Sequence, residues 1–494
     1  MSDSLRASVI KGSVWMFASC WGIRGIGFIS VSILARLLAP EDFGIVAMAT
    51  IVMGMFNMLF AFGLDLALIK NLNSGRDQYD TAWTIRLIQG IAVAILLLVS
   101  IPLIVQYFKE QRLVSVIPCL SLVSVIKGFT NIGIVNFRKE LTFNKEFNFM
   151  VTNKVISFFI TITLGFVYRN YWALIIGMIA GELISVLQSY RMDPYRPRLS
   201  LKSFNEIWGF SLWMLLNNFI NYFNFKGSEL IVGGFSTKRD LGMFSISSEV
   251  AMMSTSELIT PISRALYPGY ARICHDPERI REVFVQVFSL IAIVVFATGF
   301  GISSIAEEAV KIFLGSQWGD ATPILKILAY FYMIRISYST IGNLFVVLGH
   351  LKLLTVIAMF ETLFTLVLSY CLILKLGING AAIGMVVSGC VFYFVNISAL
   401  VSTTLISFVD IMRASIRPVM AGLTMVLSLS VFSGILFNNV IISLLVKISF
   451  GAMVYISIIL TTWVLMKKPA GAESMIINIV NDKVIKRITM LLKK

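Results

Sequence analysis

The sequence predicts an all-α polytopic membrane protein, and three observations support this fold class. Of the 494 residues, 57% are hydrophobic and 14% are charged, whereas an ordinary soluble chain is about 45–50% apolar and about 25% charged. Apolar runs of about 20 residues, the length that a helix needs to cross a bilayer core of about 30 Å, follow one another along most of the chain. The loops between them are short, so none can hold a soluble catalytic domain.

Fourteen apolar runs, bounded by charged, glycine or proline residues, are predicted to be transmembrane helices. They cover residues 10–35, 43–69, 81–107, 113–137, 146–168, 171–190, 207–235, 241–268, 283–304, 321–348, 352–374, 378–405, 414–437 and 440–466. An even number of spans predicts that both termini lie on one side. The loops on that side, together with the up to five span residues next to them, hold 25 Lys and Arg residues against 8 on the other, so the positive-inside rule places both termini in the cytoplasm.

An internal repeat at an offset of 198 residues predicts two related halves. Ser13, Trp15, Met16, Asp42 and Gly44 recur as Ser211, Trp213, Met214, Asp240 and Gly242. Two sets of six spans related by such a repeat are typical of a transporter whose site lies between its lobes; the alternative is chance similarity between apolar helices. The predicted organisation is an N-terminal lobe (1–200, spans 1–6), a C-terminal lobe (201–406, spans 7–12), spans 13 and 14 (407–466) and a cytoplasmic basic amphipathic tail (467–494).

The first span carries one charge, Arg24, close to its midpoint. An arginine at this depth costs roughly 3 kcal/mol on insertion scales unless it faces protein or water. Two interpretations stay open: a structural arginine paired with a neighbouring carboxylate, or a cation in a cavity that receives an anionic substrate.

Ten ionisable residues lie well inside the predicted spans, too many for all of them to face lipid. We expect the cations to form a substrate-binding surface and the acids to be candidates for coupling to H⁺ or Na⁺. The cations are Arg24, Lys127, Lys154, Lys226 and Arg335, and the acids are Glu182, Glu229, Glu249, Glu257 and Glu361. The first half has a net charge of +2 and the second of −2 within the membrane, which favours a cationic wall for a phosphate or diphosphate in the first half. The alternative is that these groups pair and only fix helix packing, as the spacing of Lys226 and Glu229 allows.

Other charged groups and motifs are less informative. Arg86, Lys326 and Lys447 lie within a few residues of a span end and are expected to reach the interface. His275 and His350 are the only histidines, too few for a histidine-rich metal site, and the sequence has no P-loop for ATP. We therefore expect no metal, no cofactor and no enzymatic activity, and we attribute the net charge of +15 to cytoplasmic loops rather than to nucleic-acid binding.

Three stretches resemble a known family. They are GSVW at Gly12–Trp15 with LARLLAPEDFG at Leu34–Gly44, FRKELTFNK at Phe137–Lys145, and RALYPGYARI at Arg264–Ile273. These stretches are similar to the Wzx-like polysaccharide flippases of the multidrug/oligosaccharidyl-lipid/polysaccharide exporter superfamily. The hydropathy pattern and the loop lengths of this sequence also resemble those of this family along almost the whole chain.

The resemblance implies a bacterial inner-membrane protein that moves an undecaprenyl-diphosphate-linked oligosaccharide from the cytoplasmic to the periplasmic leaflet by alternating access, for O-antigen, capsule or exopolysaccharide synthesis. According to the resemblance, its partners are the undecaprenyl-diphosphate-linked oligosaccharide and membrane lipids. A polysaccharide polymerase and a chain-length regulator are further candidate partners. It also implies a groove beside spans 13 and 14 for the polyprenyl tail.

Three competing functions stay open at this point. A cation-coupled drug or small-molecule exporter of the same superfamily fits the acidic second half but not the basic first half. An integral-membrane polymerase or ligase is expected to carry a large outer loop, and the longest here, at about 305–320, is small. The third is a non-transporting scaffold in a glycan-assembly complex.

Overall fold

The computed structural model describes residues 3–60, 63–70, 75–140, 142–204, 212–432 and 439–466. Within these ranges only the backbone is described at residues 3–14, 16–17, 66–67, 70, 212–217, 256–258, 260–265, 267–268 and 432. The regular structure of the described residues is helical throughout. The membrane-type all-α fold that the composition predicts is therefore confirmed.

The helices follow one another with short connections. The first nine are α1 (Asp3–Leu37), α2 (Pro40–Leu59), α3 (Leu64–Lys70), α4 (Arg76–Val99), α5 (Ile101–Phe108), α6 (Leu113–Gly128), α7 (Asn136–Lys139), α8 (Phe143–Tyr168) and α9 (Trp172–Met192). The remaining eight are α10 (Leu212–Phe235), α11 (Lys238–Ile273), α12 (Pro277–Ala309), α13 (Ala321–Ser337), α14 (Ser339–Val347), α15 (Leu351–Thr403), α16 (Phe408–Phe432) and α17 (Val440–Leu465).

The number of membrane spans agrees with the prediction only in part. In the described ranges ten helices are long and apolar enough to cross a membrane, or up to eleven if the bent pair Leu113–Gly128 and Ile132–Lys139 is one span. One of the ten, α15, has 53 residues and a break at Gly377, where φ is 62° and ψ is −150°. Its two segments fold back on each other at this break, because the hydroxyl oxygens of Thr365 and Ser388 lie 2.6 Å apart and the ring centres of Phe364 and Phe392 lie 6.0 Å apart. Fourteen spans stay a prediction, because α15 counts once and α10 and α11 are not among the ten.

Several predicted spans are interrupted in the structure. The chain over predicted span 113–137 bends by 67° between α6 and the segment that follows it. A buried polar residue explains the bend, because Asn131 is 0% exposed and needs hydrogen-bond partners. Its Oδ1 accepts from the Gly133 N–H at 2.9 Å, and its Nδ2 donates to the Tyr195 carbonyl at 2.8 Å. The sequence reasoning treated this residue as part of one continuous helix.

The chain divides into two compact units. Of the described residues, unit 1 contains those within 1–246, 313–320 and 369–381, and unit 2 contains those within 247–312, 321–368 and 382–494. In unit 1, α1 packs against α8, α8 against α9, α4 and α9 against α6, and α10 against α2. In unit 2, α12 packs against α13, α16 and α17.

The predicted domain boundaries are a different division of the chain and stay predictions. They are the lobes 1–200 and 201–406 and the helix pair 407–466. The predicted tail 467–494 lies outside the described residues.

Candidate functional site

Arg24 and Lys154, two of the predicted substrate-binding cations, lie on helices that pack against each other. Arg24 is on α1 and Lys154 is on α8. Gly27, about one helical turn from Arg24, lies beside Lys154: a Cβ built on Gly27 would be 4.0 Å from Lys154 Cε. Arg24 is exposed and Lys154 is half-buried. The structure therefore brings both cations to the same stretch of α1, with neither sealed in a core.

Lys127, the third cation of the first half, lies near the acid of that half. Lys127 is on α6 and Glu182 is on α9, and these two helices pack together. The two side chains are close enough to interact electrostatically, with Lys127 exposed and Glu182 half-buried. Because α9 also packs against α8, one group of helices in unit 1 carries all three cations.

The first ionisable pair of the second half is an ion pair on one helix, which is the alternative that its spacing allowed. Lys226 Nζ donates to Glu229 Oε1 at 2.6 Å, and the Ser245 hydroxyl donates to Glu229 Oε2 at 3.2 Å. Glu229 is 2% exposed, whereas the Lys226 side chain is 42% exposed. Glu229 is thus satisfied by local partners in this structure.

Arg335 and Glu361 were expected to have separate roles, and the structure pairs them. Arg335 Nη1 donates to Glu361 Oε1 at 3.1 Å, and the Tyr338 hydroxyl donates to the same oxygen at 2.8 Å. Glu361 is 6% exposed and the Arg335 side chain 14%. The guanidinium also lies 5.8 Å from the ring centre of Phe331. Breaking a buried ion pair of this kind by removing one partner typically costs about 3–5 kcal/mol.

The two remaining acids are not part of these clusters as far as the structure describes them. Glu249 is exposed on α11. The side chain of Glu257 lies outside the described residues. Among the described side chains there is no group of three or more His, Cys, Asp or Glu residues that could hold a metal ion. The proposed roles of the ten ionisable residues stay predictions.

Sequence reasoning missed a buried ion pair at Lys447. This residue was expected to reach the interface, but its side chain is 13% exposed and its Nζ donates to Glu308 Oε1. Ser443 donates to the same oxygen at 3.2 Å. The predicted ninth span ended at residue 304, whereas α12 continues to Ala309, so Glu308 was assigned to a loop. Arg86, which was also expected to reach the interface, donates to Asp65.

An apolar cavity lies in unit 2 between α12, α16 and α17. Its volume is about 380 Å³. Ile302, Met425, Leu429, Gly451 and Tyr455 line it, and Lys447 lies at its wall. Because α16 and α17 correspond to the predicted spans 13 and 14, the cavity lies where the resemblance implies a groove for a polyprenyl tail. Its walls suit a hydrocarbon chain rather than a polar ligand.

The two halves of the repeat meet at a close helix crossing within unit 1, which we call the glycine crossing and define by Gly44 on α2 and Gly242 on α11. A Cβ built on Gly44 would lie 1.8 Å from the Lys238 carbonyl oxygen, and one built on Gly242 would lie 1.9 Å from the Pro40 carbonyl oxygen. The two contacts are equivalent under the repeat, because Gly242 lies 198 residues after Gly44 and Lys238 lies 198 residues after Pro40. Only glycine permits backbones to approach this closely.

The repeat is also visible in the local structure that starts these two helices. Asp42 Oδ2 accepts from the Ala39 N–H at 3.1 Å, and Asp240 Oδ2 accepts from the Thr237 N–H at 3.2 Å. Both aspartates therefore fix the turn before their helix, three residues back along the chain. This identity of role supports a true internal repeat over chance similarity.

Ion pairs surround the glycine crossing. Glu110 accepts from Arg112 Nε at 2.8 Å and from Lys238 Nζ at 2.9 Å, and Arg239 Nη1 lies 3.3 Å from Glu41 Oε1. The hydrogen bonds from Arg112 lower the pKa of Glu110 to about 2, and the bond from Lys238 adds to this effect. Two of these pairs join residues before 112 to residues after 237, so they hold the two halves together at this point.

Known proteins that are similar to this chain include several named for the biosynthesis of surface polysaccharides. The chain is 26% identical over 349 residues to the lipopolysaccharide biosynthesis protein WzxC of Escherichia coli K12, covering 69% of this chain and 70% of the relative. It is 23% identical over 332 residues to the succinoglycan biosynthesis transport protein ExoT of Rhizobium meliloti, covering 67% of each.

One solved structure has a fold similar to that of this chain. The inward closed conformation of the lipid II flippase MurJ matches with a TM-score of 0.72 and 15% identity, over 92% of this chain and 99% of that chain. At this identity the likeness shows the fold alone. The family model described as "Polysaccharide biosynthesis protein" matches residues 33–323. Since this match covers more than half of the sequence, the chain belongs to that polysaccharide biosynthesis family, and its predicted resemblance to the Wzx-like polysaccharide flippases is confirmed.

Proposed function

We propose that this protein moves a lipid-linked oligosaccharide across the bacterial inner membrane by alternating access. The substrate is an undecaprenyl-diphosphate-linked repeat unit, carried from the cytoplasmic to the periplasmic leaflet for surface polysaccharide synthesis. Both termini are cytoplasmic in this proposal, and the protein performs no chemical reaction on its substrate. A polysaccharide polymerase and a chain-length regulator are the candidate partners downstream.

One observation carries the proposal: Arg24 and Lys154 lie together on packed helices without being sealed in a core. A diphosphate crossing the bilayer must be shielded from hydrocarbon, and basic side chains facing water-filled space can shield it through charge-assisted hydrogen bonds. Guanidinium groups are suited to this because their planar donors match phosphate oxygens. Lys127 adds a third cation on the same group of helices in unit 1.

The apolar cavity of unit 2 supports a lipid substrate. A polyprenyl tail can stay in hydrocarbon while its head group crosses, and a cavity walled by leucine, isoleucine and methionine side chains offers such a chain a surface. A soluble sugar phosphate would have no use for it. This feature favours a lipid-linked substrate within the transporter class.

Transport uphill requires coupling, and Glu361 is the acid that we propose for it, with H⁺ as the coupling ion and Na⁺ as the alternative. Glu361 is buried and its Oε1 accepts from both Arg335 and Tyr338. A proton on this carboxylate would remove the negative charge that holds Arg335, and the released cation could then change its partner. Uptake of one proton would thereby be linked to a rearrangement within unit 2.

The experiment follows leaflet exchange in inverted inner-membrane vesicles with and without the protein. Labelled undecaprenyl-diphosphate oligosaccharide is added to the outside, and its protection from an external glycosidase is measured over time. We expect protein-dependent protection, which Arg24→Ala abolishes and Arg24→Lys retains in part, at unchanged abundance.

The matched control is Lys352→Ala, which removes an exposed cation at the start of α15 and should leave protection unchanged. Loss of the protein itself in the Arg24→Ala variant would instead identify Arg24 as a structural residue. Absence of protection with several native lipid-linked glycans, together with extrusion of a cationic dye, would refute the proposal and favour a drug exporter.

A further inference from the structure

Trp21 shares a helix face with Arg24. The two residues are three positions apart on α1, so they differ by about 60° around the helix axis, with Cβ atoms about 5–6 Å apart. The Trp21 side chain is 51% exposed, and Arg24 is exposed as well. A large aromatic ring and a cation therefore lie side by side near the middle of the predicted first span.

This face is unsuited to contact with lipid. A mid-membrane arginine is costly when it faces hydrocarbon, and tryptophan favours the interfacial belts of a membrane over its centre. Both preferences are met if the face borders a water-accessible cavity. The exposure of Trp21 is then exposure to the space in which a polar substrate travels.

Two neighbouring glycines leave part of the Trp21 indole uncovered. Cβ atoms built on Gly22 and on Gly25 meet nothing within 4 Å. Helical side chains lean toward the N-terminus, so a side chain at position 25 would cover the surface above Trp21. Trp15 on the same helix is different, because its ring packs edge-on against Phe147 with 4.9 Å between ring centres. Trp15 fills a helix contact, whereas about half of Trp21 is exposed.

We propose that Trp21 is a sugar-binding residue that stacks on the first pyranose ring of the substrate while Arg24 and Lys154 hold the diphosphate. The inference rests on the proposed function. The first sugar is bonded directly to the second phosphate. A residue that binds this sugar must therefore lie next to the residues that bind the phosphates, at about the distance between neighbouring side chains on one helix face. Trp21 meets this condition. The apolar C–H face of a pyranose matches the flat indole, whose N–H can bond a hydroxyl.

The test measures equilibrium binding of two lipids to the purified full-length protein in nanodiscs. One is undecaprenyl diphosphate carrying the oligosaccharide, and the other is undecaprenyl diphosphate alone. The wild-type protein should prefer the glycosylated lipid. Trp21→Leu should weaken binding of that lipid by about tenfold, a typical effect of losing one aromatic stacking contact, and should leave the sugar-free lipid unchanged. Trp21→Phe, which keeps a flat ring, should retain most of the preference.

Two variants make the result specific. Arg24→Ala should weaken binding of both lipids because both carry the diphosphate. Trp15→Leu, the matched loss of a packed tryptophan from the same helix, should leave the preference between the lipids unchanged. A wild-type protein without preference, or a Trp21→Leu variant that binds both lipids as the wild type does or loses both equally, overturns the sugar-binding role alone. A wild-type protein that binds neither lipid overturns the proposed function and this inference with it.

Discussion

Gly44→Ala should weaken the glycine crossing and slow transport. The new Cβ would lie 1.8 Å from the Lys238 carbonyl oxygen, whereas ordinary contacts begin at 3.4 Å. The two backbones must therefore separate by roughly 1.6 Å, since a carbonyl in a helix cannot rotate away as a side chain does. Overpacking of this kind costs about 1–3 kcal/mol. At about 2 kcal/mol, the population of the closed crossing relative to an open one falls roughly 30-fold.

The assay combines a proximity measurement with transport. Cysteines replace Glu41 and Arg239, which face each other across the crossing, in a chain whose five native cysteines are changed to serine. A short bis-maleimide then reports how often the two helix starts are close. We expect Gly44→Ala to reduce the cross-linked fraction and to slow flipping about tenfold or more, because a transporter that cannot close one side leaks or stalls.

The matched control is Gly269→Ala on α11. A Cβ at that position meets nothing within 4 Å, and alanine is the better helix former by about 1 kcal/mol. This variant should keep wild-type cross-linking and transport with equal or higher thermal stability. If Gly44→Ala behaved like Gly269→Ala in both measurements, the crossing would not be a tight contact in the working protein, and the reasoning would be refuted.

Two further predictions concern single carboxylates. Glu361→Gln should abolish the dependence of transport on a proton gradient and lower the abundance of the protein, because the neutral amide exchanges no proton and leaves the buried charge of Arg335 unbalanced; an unchanged dependence in flipping assays with and without a gradient would exclude Glu361 as the coupling group. Glu110 has a pKa of about 2 when folded against its usual 4.5, so its stabilising effect is complete above about pH 5 and lost as pH falls toward 2. Its basic partners are more than a third exposed, so we expect only about 1 kcal/mol. Glu110→Gln should remove this amount at pH 7 and flatten the acid dependence of thermal unfolding, and an unaltered acid profile would contradict the ion-pair account.

Local patterns in the sequence predicted local structure well. The spacing of Lys226 and Glu229 made their ion pair foreseeable as an alternative, because residues three apart on a helix are neighbours whatever the rest of the chain does. The length and composition of the apolar runs likewise predicted helices, since an unpaired backbone cannot cross hydrocarbon. Each inference used residues within one turn or one span.

Contacts between distant helices were not predictable in this way. Arg335 and Glu361 are 26 residues apart, and Glu308 and Lys447 are 139 apart. A sequence shows that such residues are too deep to face lipid, but which faces of two helices meet depends on packing that one sequence does not encode in any short pattern. The error at Lys447 came from the end of a helix, the least reliable part of a sequence prediction, because α12 extends five residues beyond the predicted span.

The repeat lies between these two cases, and it leads to a last prediction. The offset of 198 residues identified Gly44 and Gly242 as equivalent positions. It did not show that each glycine contacts the helix that carries the other. Their reciprocal contacts with Lys238 and Pro40 mean that the two glycines serve one crossing. Once Gly44→Ala has forced the backbones apart, Gly242→Ala should cost little more. A double-mutant cycle by thermal unfolding should therefore show a coupling of about 1 kcal/mol or more. Additive costs would mean that each alanine is accommodated locally and that the two contacts are independent.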